Sequence, residues 1–268
     1  MIRPTWLLEA GVYGDELEPV VAEVRRQGME CRFVTYREIV KGPSPLPPGS
    51  CAIVYGTYPT VRHAMLKLGW KPSGWCAEDN LDCATYYPHF APFLLNSEAE
   101  ILPGAAAIRD SERLFRTFGR NGRVFARPTS THKLFVGRLL SETEFETALA
   151  PTRYDPETRV VVAAPRALGR EWRLVVAGDA VVAASQYAEG GTRSIAPNCP
   201  SAVTEFARTV LSGVKWRPDE LFMLDVAEAE GELRLLEINS FSCSWFYACP
   251  LAPVIEAASL RATASASA

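Results

Sequence analysis

The sequence predicts a mixed α/β (α+β) protein, with a small N-terminal α/β layer ahead of a larger region of hairpins and helices. Three observations predict it. The first 75 or so residues alternate short apolar runs with an amphipathic helical stretch, the pattern of a parallel strand–helix–strand unit. The second half carries paired apolar runs, around 171–185 and 221–238, each pair split by a Gly-containing polar turn. The 268 residues are 48% hydrophobic, enough for one large domain or two modest ones with a real core.

Taken in order, Thr5 to Ala10 reads as a first strand. Glu16 to Gln27 places Leu17, Val20, Val21 and Val24 at helical spacing, and Gly28 stops it. Cys31 to Tyr36 and Cys51 to Tyr55 read as further strands, separated by a proline-rich connection at 42–49. Thr60 to Leu68 is a helix. The stretch from Gly74 to Asn96 is aromatic (Trp75, Tyr86, Tyr87, Phe90, Phe93) and reads as core, with a pocket lining as the competing use. Asp110 or Ser111 is placed to cap a helix ending at Phe118. Arg123 to Pro128 is a strand, 129–133 a polar turn, and Leu134 to Leu139 the return strand. Glu142 to Leu149 is helical. Arg159 to Ala164 is a buried strand. Glu171 to Ala177 and Ala180 to Ser185 form a hairpin about Gly178-Asp179. Pro200 to Leu211 and Pro250 to Arg261 are helices, and the tail ATASASA reads as frayed.

Composition excludes several classes. Charged residues are 22% of the chain and the net charge is −3, so nothing draws it to nucleic acid or an anionic membrane. No apolar run approaches the roughly 20 residues of a membrane span. The opening MIRPTWLLEAG is interrupted by Glu9 and does not read as a signal peptide. Seven scattered cysteines without a Cys-x-x-Cys, and three histidines, argue against a disulfide scaffold or a zinc site and fit a reducing cytoplasm. No glycine-rich phosphate-loop motif occurs.

The chemistry concentrates in 222–239, FMLDVAEAEGELRLLEIN. Two apolar runs flank the turn around Gly231. Side chains alternate along a strand, so Glu237 and Asn239 share a face. Asp225 joins them if the loop has an odd number of residues. Carboxylates held that close repel unless a cation sits between them, and hard oxygen ligands suit magnesium. The competing reading is a solvated charged face. The surrounding Leu, Met, Ile and Phe argue instead for burial. Arg127 and Lys133 straddle the 129–132 turn and can grip one anion. Glu171 and Arg173 lie on one face of an apolar strand and read as a buried or pocket-facing ion pair, functional or structural. Gln186, Tyr187, Arg193 and Asn198 follow on the next strand and loop. The small polar loop SFSCS, with Ser242 and Cys243, follows the metal-type ligands. Cys243 has no histidine partner in sight and is not read as a nucleophile. Tyr247 is the aromatic there best placed to touch a substrate.

An Asp on one strand (LDV, 224–226), a Gly-containing turn and a strand ending Glu-x-Asn (LEIN, 236–239) resemble the magnesium-binding end of the ATP-grasp superfamily. The resemblance extends back through EWRLVV (171–176) and FARPTSTHK (125–133), over roughly residues 110 to 255. Small bacterial and phage-associated members of carboxylate-amine ligase type are the most similar. The resemblance implies an N-terminal α/β domain over 1–108 that helps to hold the non-nucleotide substrate. It implies an ATP-grasp region over 109–262, with 263–268 as a disordered tail. It implies ATP and Mg2+ as cofactors, with Asp225, Glu237 and Asn239 on the metal. Arg127 and Lys133 would contact phosphates, although a Lys is usual where this chain has Arg127. Val162 and Ala163, in the 161–164 segment, would meet adenine through main-chain groups. No acid follows for the ribose, which leaves Glu171 as a substitute. Arg173 would reach phosphate or the acyl group, so Arg173 and Lys133 are the implied catalytic residues. Tyr187, Arg193, Ser242 and Tyr247 are the implied substrate contacts. The 125–139 hairpin would close over the nucleotide. The expected function is ATP-dependent ligation of a small-molecule or peptide carboxylate to an amine through an acyl phosphate, in the cytoplasm. A phosphotransferase, or a degenerate module that only binds nucleotide, stays open. A homodimer is compatible with the resemblance, and neither nucleic acid nor membrane is an expected partner.

Overall fold

The computed structural model describes residues 2–14, 17–130, 134–155 and 157–267. The chain begins with β1 (Thr5–Glu9), α1 (Leu17–Arg26), β2 (Glu30–Val34), α2 (Tyr36–Lys41), β3 (Cys51–Tyr55), α3 (Tyr58–Lys67) and β4 (Lys71–Ser73). Next come α4 (Glu78–Leu81), α5 (Cys83–Phe90), β5 (Glu100–Pro103), α6 (Gly104–Arg109), α7 (Ser111–Phe118), β6 (Arg123–Pro128), β7 (Arg138–Ser141), α8 (Glu142–Leu149) and β8 (Arg159–Ala163). The remainder holds β9 (Leu168–Ala177), β10 (Ala180–Glu189), β11 (Thr192–Ala196), α9 (Ser201–Gly213), β12 (Leu221–Ala229), β13 (Glu232–Ser240) and α10 (Leu251–Ser267). These elements fall into two compact units. The first is Met1–Ala77 with Arg170–Val226 and Glu237–Ala268; the second is Glu78–Gly169 with Ala227–Leu236.

In the first unit, β2-β1-β3-β4 form a sheet in which every pair is parallel. Parallel neighbours need a crossover, and α1 supplies it between β1 and β2, burying Leu17, Val20, Val21 and Val24. The apolar run expected to extend to Tyr36 stops at Val34 for a local reason. Thr35 opens α2 with a capping box: its hydroxyl accepts from Glu38 N–H at 3.2 Å, and the Glu38 carboxylate accepts from Thr35 N–H at 2.6 Å.

The second sheet runs β11-β10-β9-β12-β13. The β9–β10 hairpin is the one the sequence predicts, with Ala177 opposite Ala180. Gly178 takes φ +62°, as the first position of a type II′ turn requires. One core serves the sheets of this unit: Trp6, Leu8 and Ile53 from the parallel sheet share it with Val175, Leu221, Phe241 and the α10 residues Val254 and Ile255. The last helix continues to Ser267, where the sequence suggests fraying. Its Ala-rich end is a good helix former, Ala258 and Ala262 are buried, and Thr263 Oγ1 donates to the Ile2 carbonyl at 3.1 Å.

In the second unit, β5-β8-β6-β7 form an antiparallel sheet. Leu114, Phe115, Val124, Phe145, Leu149, Val160 and Val162 make its core. The return strand begins at Arg138, not Leu134, and pairs Arg138 with Ala126 and Ser141 with Arg123. Asp110 stands at the N-cap of α7 but makes no side-chain cap bond; its carboxylate faces Arg109 and Arg113. Of the 74–96 aromatics, Trp75, Tyr86, Tyr87 and Phe90 are buried, as core residues are. Among the described residues, no helix is long and apolar enough to cross a membrane.

Candidate active site

The base of the β12–β13 hairpin, in the first unit, gathers the sequence-predicted ligands. Asp225 is fully buried in the middle of β12, and Asn239 is buried near the end of β13. The Asn239 side-chain amide donates to Asp225 Oδ2 at 3.1 Å and to Glu237 Oε1 at 2.9 Å. One NH2 group therefore bridges two carboxylates. The turn itself is two residues, Glu230 and Gly231, so the odd loop expected to align Asp225 is absent. Asp225 reaches the cluster all the same, which a one-residue shift in alternation along the strands accounts for.

A bare carboxylate this deep would be costly. Arg173, from β9, resolves it with a two-pronged pair: Nε donates to Asp225 Oδ1 at 2.9 Å and Nη2 to Oδ2 at 2.7 Å. Its Nη1 donates to the Trp245 carbonyl at 3.1 Å. Burial disfavours the guanidinium charge, but attraction and hydrogen bonding to Asp225 outweigh it, and the Arg173 pKa lies above its ordinary value. The partner is thus Asp225, where the sequence paired Arg173 with Glu171. Both are isolated charges inside apolar runs, and two such charges on strands of one sheet are a legible signal for a pair.

Glu171 instead accepts from the Tyr187 hydroxyl at 2.7 Å. Burial raises the Glu171 pKa, the Tyr187 hydrogen bond opposes the rise, and the negative charges of Asp225 and Glu237 add to it. Burial also lifts Tyr187 well above the ordinary phenol value, so its hydroxyl stays a donor at neutral pH.

Aromatic rings frame the cluster. Tyr187 and Tyr247 stack at 5.1 Å, and the Arg173 guanidinium lies 5.7 Å and 5.0 Å from their ring centres. Arg193, exposed on β11, lies 4.5 Å over Trp245 and 6.0 Å from Tyr247. Tyr247 holds φ +52°, a left-handed conformation that an aromatic residue adopts only when its surroundings impose it. Tyr187, Arg193 and Tyr247 therefore stand together with Arg173. Ser242 does not join them: it is fully buried, and its hydroxyl accepts from Trp75 N–H at 3.0 Å. The roles of the Trp245 ring and carbonyl had no sequence signal, since a main-chain acceptor leaves no trace in residue type.

The remaining candidates belong to the second unit. Arg127 is half-buried on β6, opposite Val161. Val162 is fully buried and paired on both sides, with Glu100 and with Ala126, so its main chain is committed to the sheet. Ala163 lies one residue beyond the last β5 partner and lines a cleft of about 320 Å³ with Ala164, Phe118, Arg120 and Arg166. Lys133 lies outside the described residues.

Among the described residues, no three His, Cys, Asp or Glu side chains gather as a metal cluster. The donors at the hairpin base nevertheless fit a magnesium ion. They are two carboxylates and an amide already held together, all oxygen-bearing, and magnesium characteristically takes one or two carboxylates and fills its remaining positions with water and phosphate oxygens. Turning the Asn239 amide would present its oxygen in place of the bridging NH2.

Comparison with known proteins agrees with this geometry. No curated protein matches by sequence. Solved structures do match in fold. D-alanyl-alanine synthetase A from Vibrio cholerae O1 biovar eltor superposes with a TM-score of 0.66 at 12% identity, covering 100% of each chain. A RimK domain ATP-grasp protein from Sphaerobacter thermophilus gives 0.61 at 17% identity over 97% of this chain and 99% of the other. The ATP-grasp ligase PsnB, complexed with a minimal precursor, gives 0.61 at 12% identity over 98% and 100%. A family profile described as an ATP-grasp domain, family 3 of its clade, matches residues 54–258, most of the chain. With its two antiparallel sheets, its parallel N-terminal sheet and its Asp225–Glu237–Asn239 hairpin, the chain belongs to this ATP-grasp family.

Proposed function

We propose that this protein is an ATP- and magnesium-dependent ligase that joins a carboxylate to an amine. The observation that carries the reading is the buried hairpin base, where Asp225, Glu237 and Asn239 are held in hydrogen-bond contact in an ATP-grasp chain. The fold neighbours support it: PsnB was solved with its precursor peptide and AMPPNP and with Mg and ADP, and another neighbour is the D-cycloserine synthetase DcsG. The substrates proposed here are accordingly a small molecule or a peptide end.

The reaction transfers the ATP γ-phosphoryl group to a carboxylate oxygen, releasing ADP. The amine then attacks the acyl carbon and phosphate leaves. Magnesium, held by Asp225, Glu237 and Asn239, would supply charge neutralisation at the phosphates. Arg127 and Lys133 bind phosphate oxygens, and main-chain groups at Val162 and Ala163 meet the base, with Ala163 the freer of the two. Arg173 acts first by fixing Asp225 and holding its charge. Glu171 takes the ribose role, and Tyr187, Arg193 and Tyr247 border the acceptor. The protein contributes positioning and electrostatics and no covalent nucleophile.

One observation favours a second reading, a nucleotide-binding module without turnover: both Asp225 oxygens are already bonded to Arg173. ATP turnover with magnesium against pooled amino acids and short peptides separates the readings. ADP and phosphate are assayed independently, with mass spectrometry of products and a thermal shift on the same sample. ADP plus phosphate, with a condensed product, establishes the ligase. ADP without phosphate indicates a phosphotransferase. A nucleotide-induced thermal shift without turnover supports the binding module. No shift and no turnover overturns both readings.

A further inference from the structure

Cys76 and Cys243 stand outside the chemistry proposed above. They come from distant parts of the sequence, 167 residues apart, yet the Cys243 thiol donates to Cys76 Sγ at 3.7 Å. Both belong to the first unit, and both are thiols, not halves of a disulfide. The backbone beneath them is fastened in place. Ser240 Oγ and Ser242 N–H both donate to the Trp75 carbonyl, at 2.9 Å and 3.3 Å. Trp75 N–H returns a bond to Ser242 Oγ at 3.0 Å, and Cys243 N–H donates to Ser240 Oγ at 3.2 Å. Two adjacent segments, 74–76 and 240–243, are therefore zipped side by side with their thiols touching. The other cysteines meet different partners: the Cys249 thiol contacts the Ser185 hydroxyl, and Cys83 contacts the Tyr86 hydroxyl.

We propose that Cys76 and Cys243 are a redox modification site, a thiol pair that a small-molecule disulfide such as oxidised glutathione converts to an intramolecular disulfide. A disulfide needs the two backbones already close, and the Trp75–Ser242 hydrogen bonds provide that without rearrangement. Cys243 is half-buried and Cys76 buried, so Cys243 meets the oxidant first. It loses its proton to solvent and its sulfur attacks one sulfur of the small disulfide. That S–S bond breaks, one glutathione leaves and takes up a proton, and a mixed disulfide stands on Cys243. Cys76 then loses its proton and attacks Cys243 Sγ, and the second glutathione leaves as a thiol. Two protein thiols are oxidised and one small disulfide is reduced to two thiols. The hydrogen bond with Cys76 and burial hold the Cys243 thiol well above its ordinary pKa, so closure accelerates as pH rises. The product ties the loop that follows Asn239 to residue 76, directly beside the hairpin base.

The test uses the full chain, reduced, freed of reductant and exposed to oxidised glutathione at increasing pH. Remaining thiols are alkylated, and the protein is read by intact mass and peptide mapping. The expected result is the loss of two hydrogen atoms, with two of the seven thiols protected and a linked peptide containing Cys76 and Cys243. A dithiol reductant reverses it. Cys199→Ser retains closure and Cys243→Ser abolishes it. Alkylation of all seven thiols, a glutathione adduct that stays on Cys243, or a bond between any other pair overturns the proposal. The mapping is done on the unaltered chain, so it decides the matter even where a variant folds poorly.

Discussion

The two ends of the β12–β13 hairpin carry the same kinds of residue and use them oppositely. At the base, the Arg173–Asp225 pair is nearly excluded from solvent, with side chains 8% and 1% exposed. At the tip, Arg166 meets Glu230 at 2.9 Å, but the side chains are 32% and 60% exposed, and Glu232 pairs with Arg234 in similar surroundings. Geometry alone does not separate the two pairs; the solvent does. In water the attraction of two unit charges at contact is about 1 kcal/mol, and holding two long side chains still offsets much of it. In the interior, the charges are retained only because each satisfies the other, so removing one leaves an uncompensated ion. An ion pair at the tip is incidental to the fold, whereas one at the base is a condition of it.

The sharpest way to break this contrast is Arg173→Ala. It should destabilise the protein by about 3–5 kcal/mol, because Asp225 is left buried without its partner. Urea denaturation gives the value, and a loss below about 1 kcal/mol would mean that water reaches the hairpin base. The double variant Arg173→Met with Asp225→Leu should recover most of the loss, since a well-packed apolar pair replaces both charges. Next in size is Glu237→Ala. Glu237 is half-buried and sits at the edge of the cluster, so its removal should leave the melting temperature nearly unchanged. ATP turnover should fall by about a hundredfold or more, the scale of losing a group that stabilises developing charge. Full activity in this variant would sink the metal assignment.

Much of this site was legible before any coordinates. Asp225, Glu237 and Asn239 stand out because charge inside an apolar strand is anomalous, and the structure brings all three together. The same logic marked Arg173. Its partner was missed because strand pairing beyond a hairpin is not a local property: β9 and β12 are neighbours in the sheet but about 50 residues apart in sequence. Hairpins such as β9–β10 were readable from Gly178, whereas the capping box that ends β2 lay hidden under an apolar run through Tyr36. Ser242 shows the converse limit. A small polar residue beside the ligands looks like a substrate contact, but its hydroxyl is spent on Trp75 N–H. The aromatic frame around Arg173 joins residues of β10, β11 and the 245–247 segment, and only the fold shows that they meet.

A third prediction extends the contrast to a carboxylate without a cation. Asp219, just before β12, accepts from Ala77 N–H at 3.1 Å and from Glu220 N–H at 2.8 Å. Burial lifts its pKa from 3.8 to about 6, and those two N–H groups only partly oppose the rise. The native state therefore holds this proton where the unfolded chain has released it. Stability from this group is fully present below pH 3.8 and is lost as pH climbs to about 6, after which the curve is flat. Asp219→Asn keeps the acceptor oxygen and removes the charge, so at pH 7 it should stabilise by about 2 kcal/mol. A wild-type-minus-variant stability difference that does not change across that window would refute the assignment.

The smallest effect belongs to the tip, where backbone and charge pull in opposite directions. Glu230 and Gly231 hold φ +54° and +85°, the two positive angles of a type I′ turn. That turn favours Asn-Gly over Glu-Gly, because an Asn side chain tolerates the left-handed region that a Glu side chain resists. Glu230→Asn relieves a backbone cost of about 1 kcal/mol. It also removes the ion pair with Arg166, but a pair this exposed contributes about 0–0.5 kcal/mol. The backbone gain should win, leaving the variant more stable by about 0.5 kcal/mol in urea denaturation. The salt dependence separates the two contributions: raising ionic strength weakens the Arg166 pair only in wild type, so the variant's advantage should widen with salt. A variant less stable than wild type at low salt would show that charge, even at the exposed end of this hairpin, outweighs turn geometry.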